Sequence, residues 1–192
     1  MHTQYIITSA DVERLKQKAR KLKRDTGISH HEALDQVAKA AGLNHWHHVS
    51  ESANAFKPTE NAYYFGVIIA MDMKDVEFRD PSGRFVEDPM AIAMCADDIY
   101  AHIREADDDG EFDTAGQEYK DDLEEWFSGE AMNYVYFRYT GTDVPVSVED
   151  VVTMAREFSF WPPEFIWHKG TFQESPSHDA LDEDGEIVGI RF

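Results

Sequence analysis

The chain contains 192 residues, of which 42% are hydrophobic and 12% aromatic, and it carries a formal net charge of −20 at pH 7. This balance indicates a globular protein and excludes an intrinsically disordered acidic chain. The single cysteine, Cys95, excludes an intramolecular disulfide framework and favours a reducing compartment.

Targeting and membrane segments are not apparent in the sequence. Residues 1–7 lack the basic stretch and long apolar run of a signal peptide. The longest apolar run, residues 62–71, is interrupted by Gly66 and is too short to span a bilayer. We therefore expect a cytoplasmic protein with no membrane partner.

Charge is distributed unevenly along the chain. Residues 1–60 hold nine Lys/Arg and seven Asp/Glu, a sum of +2, whereas residues 61–192 hold nine and 31, a sum of −22. This asymmetry predicts two units, a basic helical module at residues 1–57 and an acidic domain at residues 58–192. The small and polar residues 51–62, which include Pro58, predict a short linker at the boundary.

The first predicted helix begins after Thr8 and ends at Gly27. Thr8 and Asp11 have the spacing of a capping box, and Gly27 suits the left-handed position after a helix. Apolar residues at three- and four-residue steps give the helix one buried face. Its other faces carry cations that could contact phosphates: Lys18, Arg20, Lys21, Lys23 and Arg24. The alternatives are a solvated face or one that docks on the acidic half.

Two further helices are predicted before residue 54. Ser29 and Glu32 form a capping box for the second helix, and Asn44 is predicted to cap a short third helix. Ala38 and Gly42 also occupy the small-residue and turn positions of a helix-turn-helix. The match weakens beyond the turn, where polar residues replace the apolar ones that a recognition helix packs.

Residues 22–49 resemble a known helical module. The pattern is a basic helix followed by small, apolar and aromatic positions, met here by Ser29, His30, Ala33, Leu34, Ala38, Gly42, Leu43, Trp46 and Val49. It is similar to the segment that opens many bacterial and plasmid-borne glyoxalase-related proteins, and it covers about residues 9–53. The resemblance implies the helical module alone, because glyoxalase chemistry requires paired βαβββ modules that present metal ligands.

Five of the nine histidines fall in the same region, at His30, His31, His45, His47 and His48. Imidazoles bind transition metals, but no cysteine accompanies these, and consecutive helical positions diverge by about 100°. We predict polar surface or capping histidines, with neither a metal site nor a cofactor.

The second unit is predicted to be α+β with a mostly antiparallel sheet. Strands are predicted at residues 63–73, 76–79, 84–87, 132–140, 164–172 and 186–192. The second and third of these flank the turn sequence Asp80-Pro81-Ser82-Gly83 and predict a hairpin. Helices are predicted at residues 91–106 and after Ser147, which forms a capping box with Asp150.

The acidic charge is densest at residues 105–130, where twelve carboxylates and one cation, Lys120, give a net charge of −11. Apolar side chains recur there on one helical face, which indicates a folded amphipathic segment. The acidic surface predicted to bind a partner comprises Asp107, Asp108, Asp109, Glu111, Asp113, Glu118, Asp121, Asp122, Glu124 and Glu125.

Sequence motifs for catalysis are absent. The chain has no P-loop, no dinucleotide fingerprint, no nucleophile elbow and no zinc-protease motif. Loops around Gly110 and Gly185 lack the terminal glutamate of an EF-hand. Cys95 lies mid-helix between apolar neighbours and is predicted to be a core thiol. We therefore assign no catalytic residue.

These patterns predict a non-enzymatic protein whose acidic domain binds a basic protein. In a sharper form of this hypothesis its carboxylates mimic nucleic acid and inhibit a bacterial defence or DNA-processing system, as phage and plasmid inhibitors do. In a plainer form the charge only confers solubility. The alternative function is a nucleic-acid-binding regulatory adaptor that acts through the basic first helix.

Overall fold

The chain divides into two compact units, Met1–Glu60 and Asn61–Phe192, and its fold is α+β. The computed structural model describes residues 5–74, 76, 80–105, 128–176, 180–182 and 185–189. In the part of the chain that it describes, no helix combines the length and apolar character that crossing a bilayer requires.

Unit 1 is built from helices α1 (Ser9–Thr26) and α2 (His30–Ala40) and from the greater part of α3 (Trp46–Phe65). Both predicted capping boxes are confirmed, with Asp11 and Glu32 each returning a hydrogen bond to the backbone of the capping residue. Gly27 ends α1 with a φ of 71° and donates its N–H to the Lys23 carbonyl at 2.9 Å.

The core of unit 1 lies between its helices. Its buried members are Leu15, Ala19, Ala33, Val37, Ala38, Leu43 and Val49.

At the start of α1, the Glu60 carboxylate accepts hydrogen bonds from the Ser9 N–H at 3.0 Å and from the Ser9 hydroxyl at 2.5 Å. This pairing satisfies a backbone donor that the start of a helix leaves without an intrahelical partner.

The prediction of a linker at residues 51–62 is wrong, because helix α3 continues through this segment to Phe65. Pro58 lies inside the helix, where a proline removes one hydrogen bond at a cost of about 3 kcal/mol. Phe56, Thr59 and Ala62 are buried at three-residue steps. Burial of these three side chains offsets the free-energy cost of the proline within the helix. The polar composition of the segment therefore does not indicate a linker.

Unit 2 contains a five-stranded sheet in which every pairing is antiparallel. Its strands are β1 (Val67–Asp72), β2 (Phe85–Glu87), β3 (Tyr134–Tyr139), β4 (Phe165–His168) and β5 (Thr171–Glu174), in the order β2-β3-β1-β4-β5. The central strand β1 is buried from Val67 to Met71, which explains its continuous apolar sequence.

Helices pack on both faces of this sheet. Helix α5 (Val148–Arg156) packs against Val67, Ile69 and Met71, whose side chains lie on one face. A 3-10 turn at Pro89–Ala91 and helix α4 (Ile92–Glu105) pack on the other face with Ile68 and Ala70. Residues 128–132 are also helical. A separate two-stranded sheet pairs β6 (Ala180–Leu181) with β7 (Ile187–Gly189).

One strand prediction in unit 2 requires correction, and another falls largely outside the described residues. Most of the first hairpin strand, residues 76–79, lies outside them, so the hairpin stays a prediction, while its second strand, β2, pairs with β3. Residues 164–172 form two strands, since Lys169 and Gly170 turn the chain with φ values of 51° and 81°. A Lys-Gly pair within an apolar run carries little sequence signal for a turn, although glycine adopts positive φ without strain.

The Asp88 side chain is 4% exposed and joins two elements of unit 2. Its carboxylate accepts the Met90 N–H at 3.2 Å at the start of the 3-10 turn and the Arg138 Nε–H at 3.1 Å from β3. A buried carboxylate that loses its cationic partner is strongly unfavourable.

We expect Arg138→Met to lower the free energy of unfolding by about 3 kcal/mol, because it removes the Arg138 guanidinium from the buried Asp88 carboxylate. Adding Asp88→Asn should recover part of this loss, since the amide still accepts the Met90 N–H and carries no charge. Urea denaturation of both variants measures the difference. An equal loss in the single and the double variant would contradict the assignment.

Candidate nucleic-acid interface

The cations of α1 face solvent because its apolar stripe faces the core. Leu15 is 8% exposed and Ala19 has no exposed surface, and side chains about half a turn away point outward. Arg14 is paired with Asp11, and Lys16 lies 2.7 Å from Glu13. The more C-terminal cations of the helix lie beyond these acidic partners.

Three of the five predicted phosphate-contacting residues line one concave surface. Arg20, Lys23 and Arg24 from α1 form a groove of about 740 Å³ together with Gln17 and with His30 from α2. We call it the α1–α2 groove. Lys18 and Lys21 are exposed on α1 and do not line this groove. Within the described residues, none of the five predicted cations forms an ion pair.

Gln17 and His30 were missed by the sequence prediction. Gln17 lies one turn before Arg20 on the same face of α1, so helical spacing alone would have included it. His30 is the first residue of α2, directly after the capping Ser29, and it was grouped with the other histidines. Only the packing of α1 against α2 places His30 beside the cations.

A second concave surface of about 540 Å³ lies on unit 1. It is lined by His31, Asp35, His45, Trp46, His47 and Ser50, and we call it the histidine groove. The Asp35 carboxylate accepts the Trp46 N–H at 2.8 Å, and this hydrogen bond is the main cause that holds the Asp35 pKa below its usual value. Asp35 thus fixes the start of α3.

His45, and not the predicted Asn44, provides the side-chain cap of α3. Its Nδ1 accepts the His48 N–H at 3.1 Å, so this nitrogen carries no proton. The His45 and His47 rings are nearly parallel, with centroids 6.1 Å apart and an angle of 19° between their planes. His47 Nε2 lies 3.1 Å from the Glu51 carboxylate. The hydrogen bond at Nδ1 of His45 orients one of the two rings.

The histidines do not assemble a metal centre in the part of the chain that is described, where no group of three suitable ligands occurs. The His45 lone pair at Nδ1 is already used by a backbone N–H. The His48 ring packs against an aromatic side chain instead of a metal ligand. The Tyr5 ring contacts it edge-on, with the two ring centroids 5.2 Å apart.

The small-residue and turn positions of a helix-turn-helix have the expected burial and backbone conformation, but the cations do not lie on the helix that would enter DNA. Ala38 is fully buried, and Gly42 has a φ of 83° in the turn. In the first turns of α3, where a recognition helix would present its contacts, the exposed side chains include His47 and Glu51, and the first cation is Lys57. The cations of unit 1 instead concentrate on α1.

Unit 2 contains two polar clusters on the α4 side of its sheet. The Asp98 carboxylate accepts the Tyr63 hydroxyl at 2.7 Å and the Trp167 indole N–H at 2.9 Å. Burial, followed by this hydrogen bond, raises the Tyr63 pKa well above its usual value. His102 Nε2 lies 2.5 Å from the Glu174 carboxylate, whose side chain is 49% exposed. This half-exposed pair joins α4 to β5 and is not a buried catalytic dyad.

Cys95 is fully buried, as the sequence predicted for a core thiol. Burial raises its pKa well above the usual value, and the nearby Asp98 and Asp88 carboxylates add to the shift. The protonated thiol that results is a poor nucleophile.

The acidic surface predicted at Asp107–Asp109, Glu111, Asp113, Glu118, Asp121, Asp122, Glu124 and Glu125 falls outside the described residues. Its role as a partner-binding surface stays a prediction.

Comparison with protein-family models, with curated proteins and with solved structures yields no significant match. The resemblance of residues 9–53 to the glyoxalase-related helical module accordingly stays a prediction.

We expect the acid stability of the protein to depend on Asp35. Its pKa is lowered in the folded state, so its contribution is present above the ordinary value of 3.8 and is lost as the pH falls below it. Asp35→Asn keeps an acceptor for the Trp46 N–H but cannot titrate. Thermal melting of both proteins from pH 6 to pH 3 should show a smaller decrease for the variant, and parallel curves would contradict this role.

Proposed function

We propose that unit 1 binds the phosphate backbone of a nucleic acid through the α1–α2 groove. The observation that supports this function best is the convergence of Arg20, Lys23 and Arg24 on one concave surface with His30. Arginine is suited to the contact because its planar guanidinium donates two parallel hydrogen bonds to phosphate oxygens.

The net charge of −20 does not prevent this interaction. At physiological salt the screening length is about 8 Å, so charges farther away contribute little at the groove. Seven of the nine cations of residues 1–60 lie within α1, which makes its field locally positive. Binding of this kind releases counterions and therefore weakens steeply with salt.

The acidic region supports a second role in the same molecule. Residues 105–130 carry a net charge of −11, which is complementary to a basic protein surface and repels nucleic acid. A protein that holds nucleic acid through unit 1 and recruits a basic protein through this region would act as a regulatory adaptor. The same acidic region would serve as a nucleic-acid mimic if it occupied the basic groove of its partner.

Neutralising the groove should weaken nucleic-acid binding by the full-length protein. We expect the variant Arg20→Gln/Lys23→Gln/Arg24→Gln to lose affinity for an oligonucleotide because three phosphate contacts disappear. For a single strand, the slope of log K against log salt should become shallower by about 2. Fluorescence anisotropy with a labelled oligonucleotide, repeated over a range of salt concentrations, measures both quantities.

The matched control is Lys39→Gln/Lys57→Gln/Lys74→Gln, which removes the same charge at exposed positions that do not line the groove. It should keep the wild-type slope. Equal losses in both variants would show that only overall charge matters, and no binding by the wild type at low salt would overturn the proposed function.

Reversing the acidic charge tests the second role. We expect Asp121→Lys/Asp122→Lys/Glu124→Lys/Glu125→Lys to lose a basic partner that the wild type retains from bacterial lysate, because like charges then face each other. Affinity purification of both proteins followed by mass spectrometry makes the comparison. Capture of the same proteins by both would indicate that the charge serves solubility.

A further inference from the structure

We propose that the nucleic acid is single-stranded and that one of its bases stacks in the histidine groove, beside the His45 and His47 rings. This inference rests on the proposed function, because it places the base next to a backbone held in the α1–α2 groove. It adds a recognition element that unit 1 presents on a second surface.

The two grooves meet at the first turn of α2. His30 lines the α1–α2 groove, and the next residue, His31, lines the histidine groove. Successive helical side chains diverge by about 100°, so the two surfaces lie on adjacent sides of the same helix end. A strand whose phosphates contact Arg20 and Arg24 reaches the histidine groove by crossing the start of α2.

The imidazole rings form a stacking platform. The His45 and His47 planes are within 19° of parallel, and their centroids are 6.1 Å apart. Bases stack at about 3.4 Å per step, so a base enclosed by two rings requires a separation of about 6.8 Å. The His47 side chain is 74% exposed while the His45 ring is held by the His48 N–H, so a base enters the pair if the His47 ring shifts outward.

Charge and shape distinguish this groove from the first. Asp35 lines the histidine groove and Glu51 lies beside His47, so a phosphate there would meet carboxylates. An uncharged base avoids this repulsion, and Trp46 is also among the residues that line the groove. Aromatic platforms of this kind bind bases with little sequence preference, since every base has a π face.

A single strand fits this arrangement better than a duplex does. In a duplex each base is stacked between its neighbours and paired, so placing one between two protein rings requires it to be unpaired first. In a single strand the bases are already accessible to aromatic side chains. The juxtaposition of a cationic groove and a ring platform is therefore suited to an unpaired strand.

The experiment uses the full-length protein and fluorescence anisotropy with two labelled probes of about 12 nucleotides. One probe is an ordinary single strand and the other is an abasic strand of the same length and charge. We expect His47→Ala to weaken binding of the ordinary strand about tenfold, the effect of one lost base stack, and to leave the abasic strand within about twofold.

Two variants separate stacking from other effects. His47→Phe keeps a flat ring without a charge or hydrogen bond and should restore most of the affinity. Glu51→Gln removes the partner of His47 and should bind both probes at least as well as the wild type does.

Equal weakening of both probes by His47→Ala, or equal wild-type affinity for the two probes, would overturn the stacking inference and leave the proposed function standing. Loss of binding in His47→Phe as large as in His47→Ala would also overturn it. If the wild type binds neither probe at low salt, the proposed function itself fails.

Discussion

Close packing of α1 against α2 is the constraint on which the candidate interface depends. Ala19, Ala33 and Ala38 have no exposed surface, and side chains this small let the helices approach closely. With the apolar stripe buried between them, the cations of α1 have only the solvent side available. The same contact brings His30 beside Arg20, and the histidine groove lies on the adjacent side of the first turn of α2.

Electrostatic charge acts at two different scales in this protein. Over the whole chain the carboxylates dominate, and their repulsion opposes contact with other polyanions. Within unit 1, screening limits each charge to its surroundings, and Arg20, Lys23 and Arg24 have no ion-pair partner among the described residues. A strongly acidic protein therefore presents a locally basic surface on unit 1.

Much of the fold was predictable because local signals and tertiary packing agree. The capping boxes at Thr8, Ser29 and Ser147 each place a helix start where the structure has it. Predictions failed where packing overrode composition, as in α3, where buried side chains carry the helix through Pro58. They also failed where a turn depends on a single backbone conformation, as at Gly170.

The sequence by itself determined the α+β class, the helix starts and the concentration of cations on the solvent-facing sides of α1. These follow from periodicity and capping, which act over a few neighbouring residues. Only the tertiary structure decided which cations share a groove, that His45 caps α3 and that two imidazole rings lie parallel. The groove joins residues of two helices, and local patterns carry no information about how helices pack, whereas the cap and the ring pair depend on the backbone conformation at the start of α3.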